Sequence, residues 1–356
     1  MTFFGTLGHL IAILIGVVSL GIGSAPQPEI PVSLPAADTR PPGGGGTLAE
    51  LGAVVSAALR ESAAYQQATV TAGTRDSEVP APAIVDALVN VHCTARTGER
   101  HYTTSGSGVL IGTHGVVLTN AHVAHFLLLP ESTANSTATC VIRTGSPATN
   151  RYHAELLYLP PTWITENADQ LYAEHQVGTG ERDFALLRIT DAVTGVLPKD
   201  FPDLPLAPRT YSFRTVETMY AAGYLPGEDD VLSARIATTS IHTLFTFTDN
   251  IVDLIALTPS TVGVHGASGG PVVDKDGMLI GLIATHGNPE TEGTQSLRAL
   301  TIPYIDRALE TETGLSLTQT LSGDLALRSR VFLETLVPPL RAYLEAEARL
   351  NTSNDS

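Results

Sequence analysis

Lysine is almost absent from this chain. Only Lys199 and Lys275 occur among 20 Lys+Arg, set against 36 Asp+Glu for a net charge of −16. That balance has the wrong sign for gripping a phosphate backbone or an anionic lipid surface, and it argues against nucleic-acid partners. Cysteine is equally scarce: two residues, Cys93 and Cys140, exclude a Cys-rich zinc site and a disulfide framework, and leave room for one bridge. Charged residues make up 16% and hydrophobic ones 43% of 356 residues, too apolar for wholesale disorder and long enough for one large or two modest domains. No internal repeat is present. Long apolar runs are missing as well, with one exception. From Phe3 to Gly23 there is no charged residue, and Leu10 to Ile22 is almost purely aliphatic. Residues 1–25 therefore read as a membrane anchor or a signal peptide. The spanning length favours the anchor, and Pro26 follows the cleavage-like Gly23-Ser24-Ala25.

Residues 26–46, rich in proline and ending in Gly43 to Gly46, form an extended linker. Residues 47–80 are a helical lead-in: Thr47 and Glu50 make a capping box, and Leu48, Leu51, Val55 and Leu59 recur at helical spacing. Residues 81–312 are the main domain, and from Ala87 to just beyond Gly281 its pattern changes to short apolar runs between Gly, Asp, Asn and Pro turns, among them ALVNVHCTA, SGVLIG, GVVLTNA, TATCVIR, HAELLYL, FALLRI and MLIGLIA. Such a series predicts an all-β barrel or sandwich. Pro161 to His175 interrupts it with a surface helix or loop, and Pro303 to Leu309 predicts a short helix. Residues 313–356 are a helical extension broken at Pro338-Pro339.

Three stretches carry chemistry: Thr119-Asn120-Ala121-His122-Val123 after a strand, Arg182-Asp183-Phe184-Ala185-Leu186-Leu187 at the mouth of another, and Gly266-Ala267-Ser268-Gly269-Gly270-Pro271 opening a third. Nucleophilic acyl transfer needs a hydroxyl, a neutral imidazole to take its proton, and a carboxylate to fix the imidazole tautomer. Ser268, His122 and Asp183 supply them. It also needs two N–H groups aimed at the developing oxyanion, for which Gly266 and Ser268 are the candidates. His92, His114, His125, His153 and His175 lack metal-ligand spacing and read as structural or solvated, so neither a metal nor a cofactor is expected.

In that order and at those distances, TNAHV, DFALL and GASGGP resemble the chymotrypsin-fold serine peptidases, most closely the bacterial trypsin-like and HtrA/Deg-type branch. The resemblance implies two six-stranded antiparallel β-barrels, with His122 and Asp183 from the first and Ser268 from the second, flanked here by N- and C-terminal helices. Too little chain follows for the PDZ module of the Deg proteins. Ala267 stands where digestive relatives carry the acid of the zymogen ion pair, which removes that route of activation. By the same resemblance, Val262 forms the floor of the specificity pocket and Ile283, Ala284 and Thr285 its walls, with His286 near the rim beside His265. A floor without a carboxylate favours small or medium apolar side chains. The competing reading has the two histidines receive an acidic one. Cys93 and Cys140 both fall in the first barrel, where a bridge and two buried thiols remain alternatives. The expected protein is an endopeptidase acting on protein or peptide, membrane-tethered through its N-terminal segment or secreted, with its catalytic part extracytoplasmic. A catalytically silent scaffold on the same fold is the alternative.

Overall fold

The computed structural model describes residues 82–97, 100–129, 137–168, 179–227, 231–247, 251–286 and 297–354. The apolar N-terminal segment, the linker and the lead-in helix lie outside them. Among the described residues no helix is long and apolar enough to cross a membrane.

Twelve described strands close into two barrels. In the first, β1 (Leu88–Thr97), β2 (Arg100–Ile111), β3 (Val116–Thr119), β4 (Thr137–Thr144), β5 (Thr149–Tyr158) and β6 (Ala185–Ala192) pair in the order β1-β2-β3-β6-β5-β4. In the second, β7 (Thr218–Pro226), β8 (Leu232–Phe245), β9 (Leu254–Leu257), β10 (Pro271–Asp274), β11 (Leu279–His286) and β12 (Leu297–Thr301) pair in the order β10-β11-β12-β9-β8-β7. The ladders are antiparallel, and closure leaves neither sheet an open edge. This is the two-barrel, chymotrypsin-like architecture expected from the motifs.

Alternation drives the packing. Val89, Val91 and Cys93 on β1 are fully buried, as inward positions of a period-two strand must be. Leu88 and Asn90 on the other face are buried too, because β1 and β2 lie against β7 of the second barrel. Cys93 stands directly opposite Cys140 on β4, and the two are joined in a disulfide at a sequence separation of 47. By restricting the unfolded chain, a bridge of that span stabilises by about 2–4 kcal/mol.

The first-barrel strands and β11 follow the apolar runs closely, whereas β7, β8, β9 and β12 were not marked by any. β8 is long but mostly half-buried, so its Ser, Arg and Thr residues mask the period. β9 and β12 are only 4 and 5 residues.

Helices differ more from expectation. Besides α1 (Pro82–Ala87), α2 (Ala121–Ala124) and a 3-10 turn at His125–Leu128, the segment after Pro160 forms α3 (Pro161–Glu166). It is no surface element, since Pro161, Trp163, Ile164 and Thr165 are buried. The helix expected over 303–309 runs as α4 (Ile302–Thr313), capped by the Thr301 hydroxyl, which accepts from the Tyr304 N–H, and ended by Gly314 at φ 77°. α5 (Leu317–Thr320) has a Ser316–Gln319 capping box. The break in the last helical region falls at Leu336, between α6 (Leu325–Thr335) and α7 (Val337–Asn354). Pro338 and Pro339 thus sit in the first turn of α7, where their missing N–H groups cost no helical bond.

Candidate active site

β3 delivers the chain into α2, whose second residue is His122. The first turn of a helix has N–H groups without intrahelical acceptors. That of His122 donates to Asp183 Oδ1 at 3.0 Å, while His122 Nδ1 lies 2.7 Å from Asp183 Oδ2. With Asp183 ionised, Nδ1 is the donor and Nε2 is left as the acceptor. Asp183 is 4% exposed. Its backbone is fixed at both ends: its N–H donates to the Gly180 carbonyl and its carbonyl accepts from Asn120 Nδ2 at 2.7 Å. Phe184, fully buried, anchors the loop from the other side. Burial pulls the His122 pKa down, but the Asp183 charge and hydrogen bond outweigh it and hold the imidazole above its ordinary value.

Ser268 comes from the second barrel, on the loop before β10. Gly106 of β2 shows how closely the two halves meet: a Cβ there would lie 2.7 Å from Val123 Cγ2 and 3.1 Å from the Ser268 carbonyl oxygen. One glycine therefore separates the loops bearing His122 and Ser268. No hydrogen bond joins Ser268 Oγ to His122, and the hydroxyl is uncommitted among the described residues. Such bonds are often loose before substrate arrives.

The loop's backbone is arranged unusually. The Ala267 N–H donates to the Val264 carbonyl, Gly269 N–H to Ile283 and Gly270 N–H to Ala267. Neither the Gly266 nor the Ser268 N–H has an acceptor among the described residues. Gly266 holds φ at +103°, and a Cβ on it would meet the Tyr224 carbonyl oxygen at 2.6 Å. Only glycine fits there. Two N–H groups without acceptors, on the loop that carries a hydroxyl, are the donor type that a developing negative charge requires.

Ser107, which the sequence reading passed over, ties this loop to the first barrel. Its hydroxyl donates to the Gly266 carbonyl at 2.6 Å and accepts from the Tyr224 N–H at 2.8 Å, and its own N–H donates to the Ser268 carbonyl at 2.7 Å. Thr119 Oγ1 in turn donates to the Ser107 carbonyl at 2.7 Å. The small-residue run Ser105 to Gly108 was the available signal.

Of the residues assigned to a specificity pocket, Val262, Ile283 and Ala284 are buried and His265 is exposed. Ile283 is bonded straight to the nucleophile loop, its carbonyl accepting from Gly269 and its N–H donating to Gly270. Thr285 and His286 end β11, beyond a register shift between Ile283 and Thr285. His125 is buried, with Nδ1–H donated to the His122 carbonyl at 2.7 Å and its ring against Phe126 and Trp163. That is a structural role. Among the described residues no group of three or more His, Cys, Asp or Glu is placed to hold a metal ion.

Residues 106–282 match the family model of the trypsin-like peptidase domain. That span runs from β2 into β11 and takes in His122, Asp183 and Ser268. No curated protein matches the chain. The trypsin-like match and the two six-stranded barrels agree with each other, and together they support a peptidase.

Proposed function

We propose that this protein is a serine endopeptidase. Ser268 Oγ attacks the scissile carbonyl, His122 takes its proton and later returns it to the leaving amine, Asp183 orients and stabilises the imidazolium, and the N–H groups of Gly266 and Ser268 receive the oxyanion. The observation that carries this reading is the His122–Asp183 pair at 2.7 Å, one glycine away from a loop with a free hydroxyl and two free N–H groups. TNAHV, DFALL and GASGGP favour the HtrA/Deg-type branch, here with helices α4–α7 after the second barrel. The apolar N-terminal segment supports membrane tethering, and the disulfide fits an extracytoplasmic catalytic part.

His122 must be neutral to act as a base. Because Asp183 raises its pKa, activity falls as pH drops through a value above that of an ordinary histidine and stays high on the alkaline side. Asp183→Asn moves this limb to lower pH and costs about 10⁴ in kcat through the wrong tautomer. The pH dependence of kcat/KM for both proteins checks this, and a rate maximum near the carboxylate range of about pH 4 contradicts it.

Substrate choice follows from the buried Val262, Ile283 and Ala284. An apolar slot leaves the charge of a buried Lys or Arg unpaired at a cost of several kcal/mol, while each buried methylene gains about 0.8 kcal/mol. Cleavage after Val, Ala, Leu or Thr is expected in a peptide-library digest. Dominant cleavage after Glu instead favours His265 and His286 as recognition groups, and cleavage after Arg contradicts the pocket assignment.

A further inference from the structure

We infer that the C-terminal helices brace the His122–Asp183 pair from both sides, with Arg182 as the positioning residue on the Asp183 side. The inference rests on the endopeptidase reading and deepens it.

Arg182 immediately precedes Asp183 and holds φ at +57°, a left-handed conformation that costs a residue with a side chain about 1–2 kcal/mol. Its surroundings show what holds it there. The Arg182 N–H donates to the Tyr304 hydroxyl on α4 at 3.1 Å. Its guanidinium Nη1 reaches both Glu166 oxygens on α3 at 3.2 and 3.3 Å and Glu181 at 3.0 Å, and Nε lies 3.8 Å from Glu312 Oε1 on α4. Glu312 is itself buried and accepts from the Tyr158 hydroxyl of β5 at 2.6 Å. One guanidinium therefore gathers three carboxylates from two helices and its own loop. The other charged groups of α4 are paired elsewhere, Asp306 and Glu310 with Arg209 and Arg307 with Asp253, as Asp183 is with His122.

The His122 side is held by α7. Arg341 donates from Nε to the Leu128 carbonyl at 3.2 Å and from Nη2 to Leu127 at 3.5 Å. Those carbonyls belong to the 3-10 turn whose first residue, His125, is bonded to the His122 carbonyl. Leu340 and Leu344 of α7 are buried, as is Phe332 of α6, so the brace is part of the packed structure.

The consequence is mechanical. With Arg182 in place, the carboxylates of Glu166, Glu181 and Glu312 are offset. Without it they lose their shared counter-charge, and the loop that presents Asp183 loses its side-chain tie to α3 and α4. The test is steady-state kinetics on the full chain, with Ser268→Ala as the control that the measured hydrolysis is this site's. Arg182→Gln is expected to lower kcat about 10- to 100-fold with KM nearly unchanged. Arg182→Lys keeps the positive charge and restores part of kcat but not all of it, because an ammonium lacks the planar fork. Tyr304→Phe keeps the ring and loses the hydroxyl, lowering kcat about 3- to 10-fold with KM nearly unchanged. It carries the test if Arg182→Gln fails to fold. Wild-type kcat in Tyr304→Phe, or in a folded Arg182→Gln, or a loss that falls on KM instead, overturns the inference while the endopeptidase reading stands. Hydrolysis that persists in Ser268→Ala overturns both.

Discussion

Ser268→Ala abolishes hydrolysis of a casein-type substrate, with a loss of at least about 10⁴ in kcat, the scale set by removing a nucleophile from a cooperating triad. Its unfolding midpoint stays within a degree or two of wild type. Both halves of this expectation come from the same geometry. Ser268 Oγ bonds to no described residue, so its removal breaks nothing in the native state. The contacts that hold the loop do not use the Ser268 side chain: the Ser268 carbonyl on the Ser107 N–H, the Gly266 carbonyl on the Ser107 hydroxyl, and the Gly269 and Gly270 N–H groups on Ile283 and Ala267. All survive the substitution. Near-wild-type turnover in a folded Ser268→Ala protein means that another group is the nucleophile. A large loss of stability means that the hydroxyl is structural.

Gly269→Ala fails for the opposite reason. The position holds φ at +83°, where a side chain costs about 1–2 kcal/mol. In addition, the new methyl would fall onto the Ser107 carbonyl oxygen and the Thr119 hydroxyl, both part of the first-barrel anchor. A carbonyl in a ladder cannot step aside as a flexible side chain can, and overpacking of this kind costs about 1–3 kcal/mol more. Activity is expected to fall at least 100-fold, because the displaced groups are the Ser268 carbonyl anchor and the Ser268 N–H, and a shift of about 1 Å at a reacting centre is worth that much. Urea unfolding and initial rates on the same preparation measure the two effects. Unchanged stability and rate in Gly269→Ala would show that the loop does not approach the first barrel this closely.

His122, Asp183 and Ser268 stand out in the sequence as candidates because each sits in a short stretch whose composition departs from ordinary core: a histidine after an apolar strand, an acid before one, a serine among glycines. What the chain does not spell locally is how they are held. Ser107 and Gly266 are 159 positions apart and Arg182 and Tyr304 are 122 apart, and nothing in a local window marks such a pair. The first barrel was readable for the same reason the second was only partly so. β6 opens on Ala185 and Leu186–Leu187 directly after Phe184, an unbroken apolar run, whereas β8 is a half-buried strand of mixed polarity. The C-terminal helices were visible as helices, but their task was not. Pro338-Pro339 looks like a break in the sequence and starts α7 in the structure, which moves the boundary to Leu336 and brings Arg341 over the carbonyls behind His122.

Labelling with a fluorophosphonate probe tests the central claim most directly, because the reagent needs an activated serine and an oxyanion cradle together but no knowledge of the natural substrate. The full chain is treated with the probe above the His122 titration, and intact mass and peptide mapping locate the adduct. A single phosphonyl adduct on Ser268 is expected, absent from Ser268→Ala and strongly slowed in His122→Ala. A folded wild-type chain that takes up no probe, or one whose adduct persists in Ser268→Ala, contradicts the account.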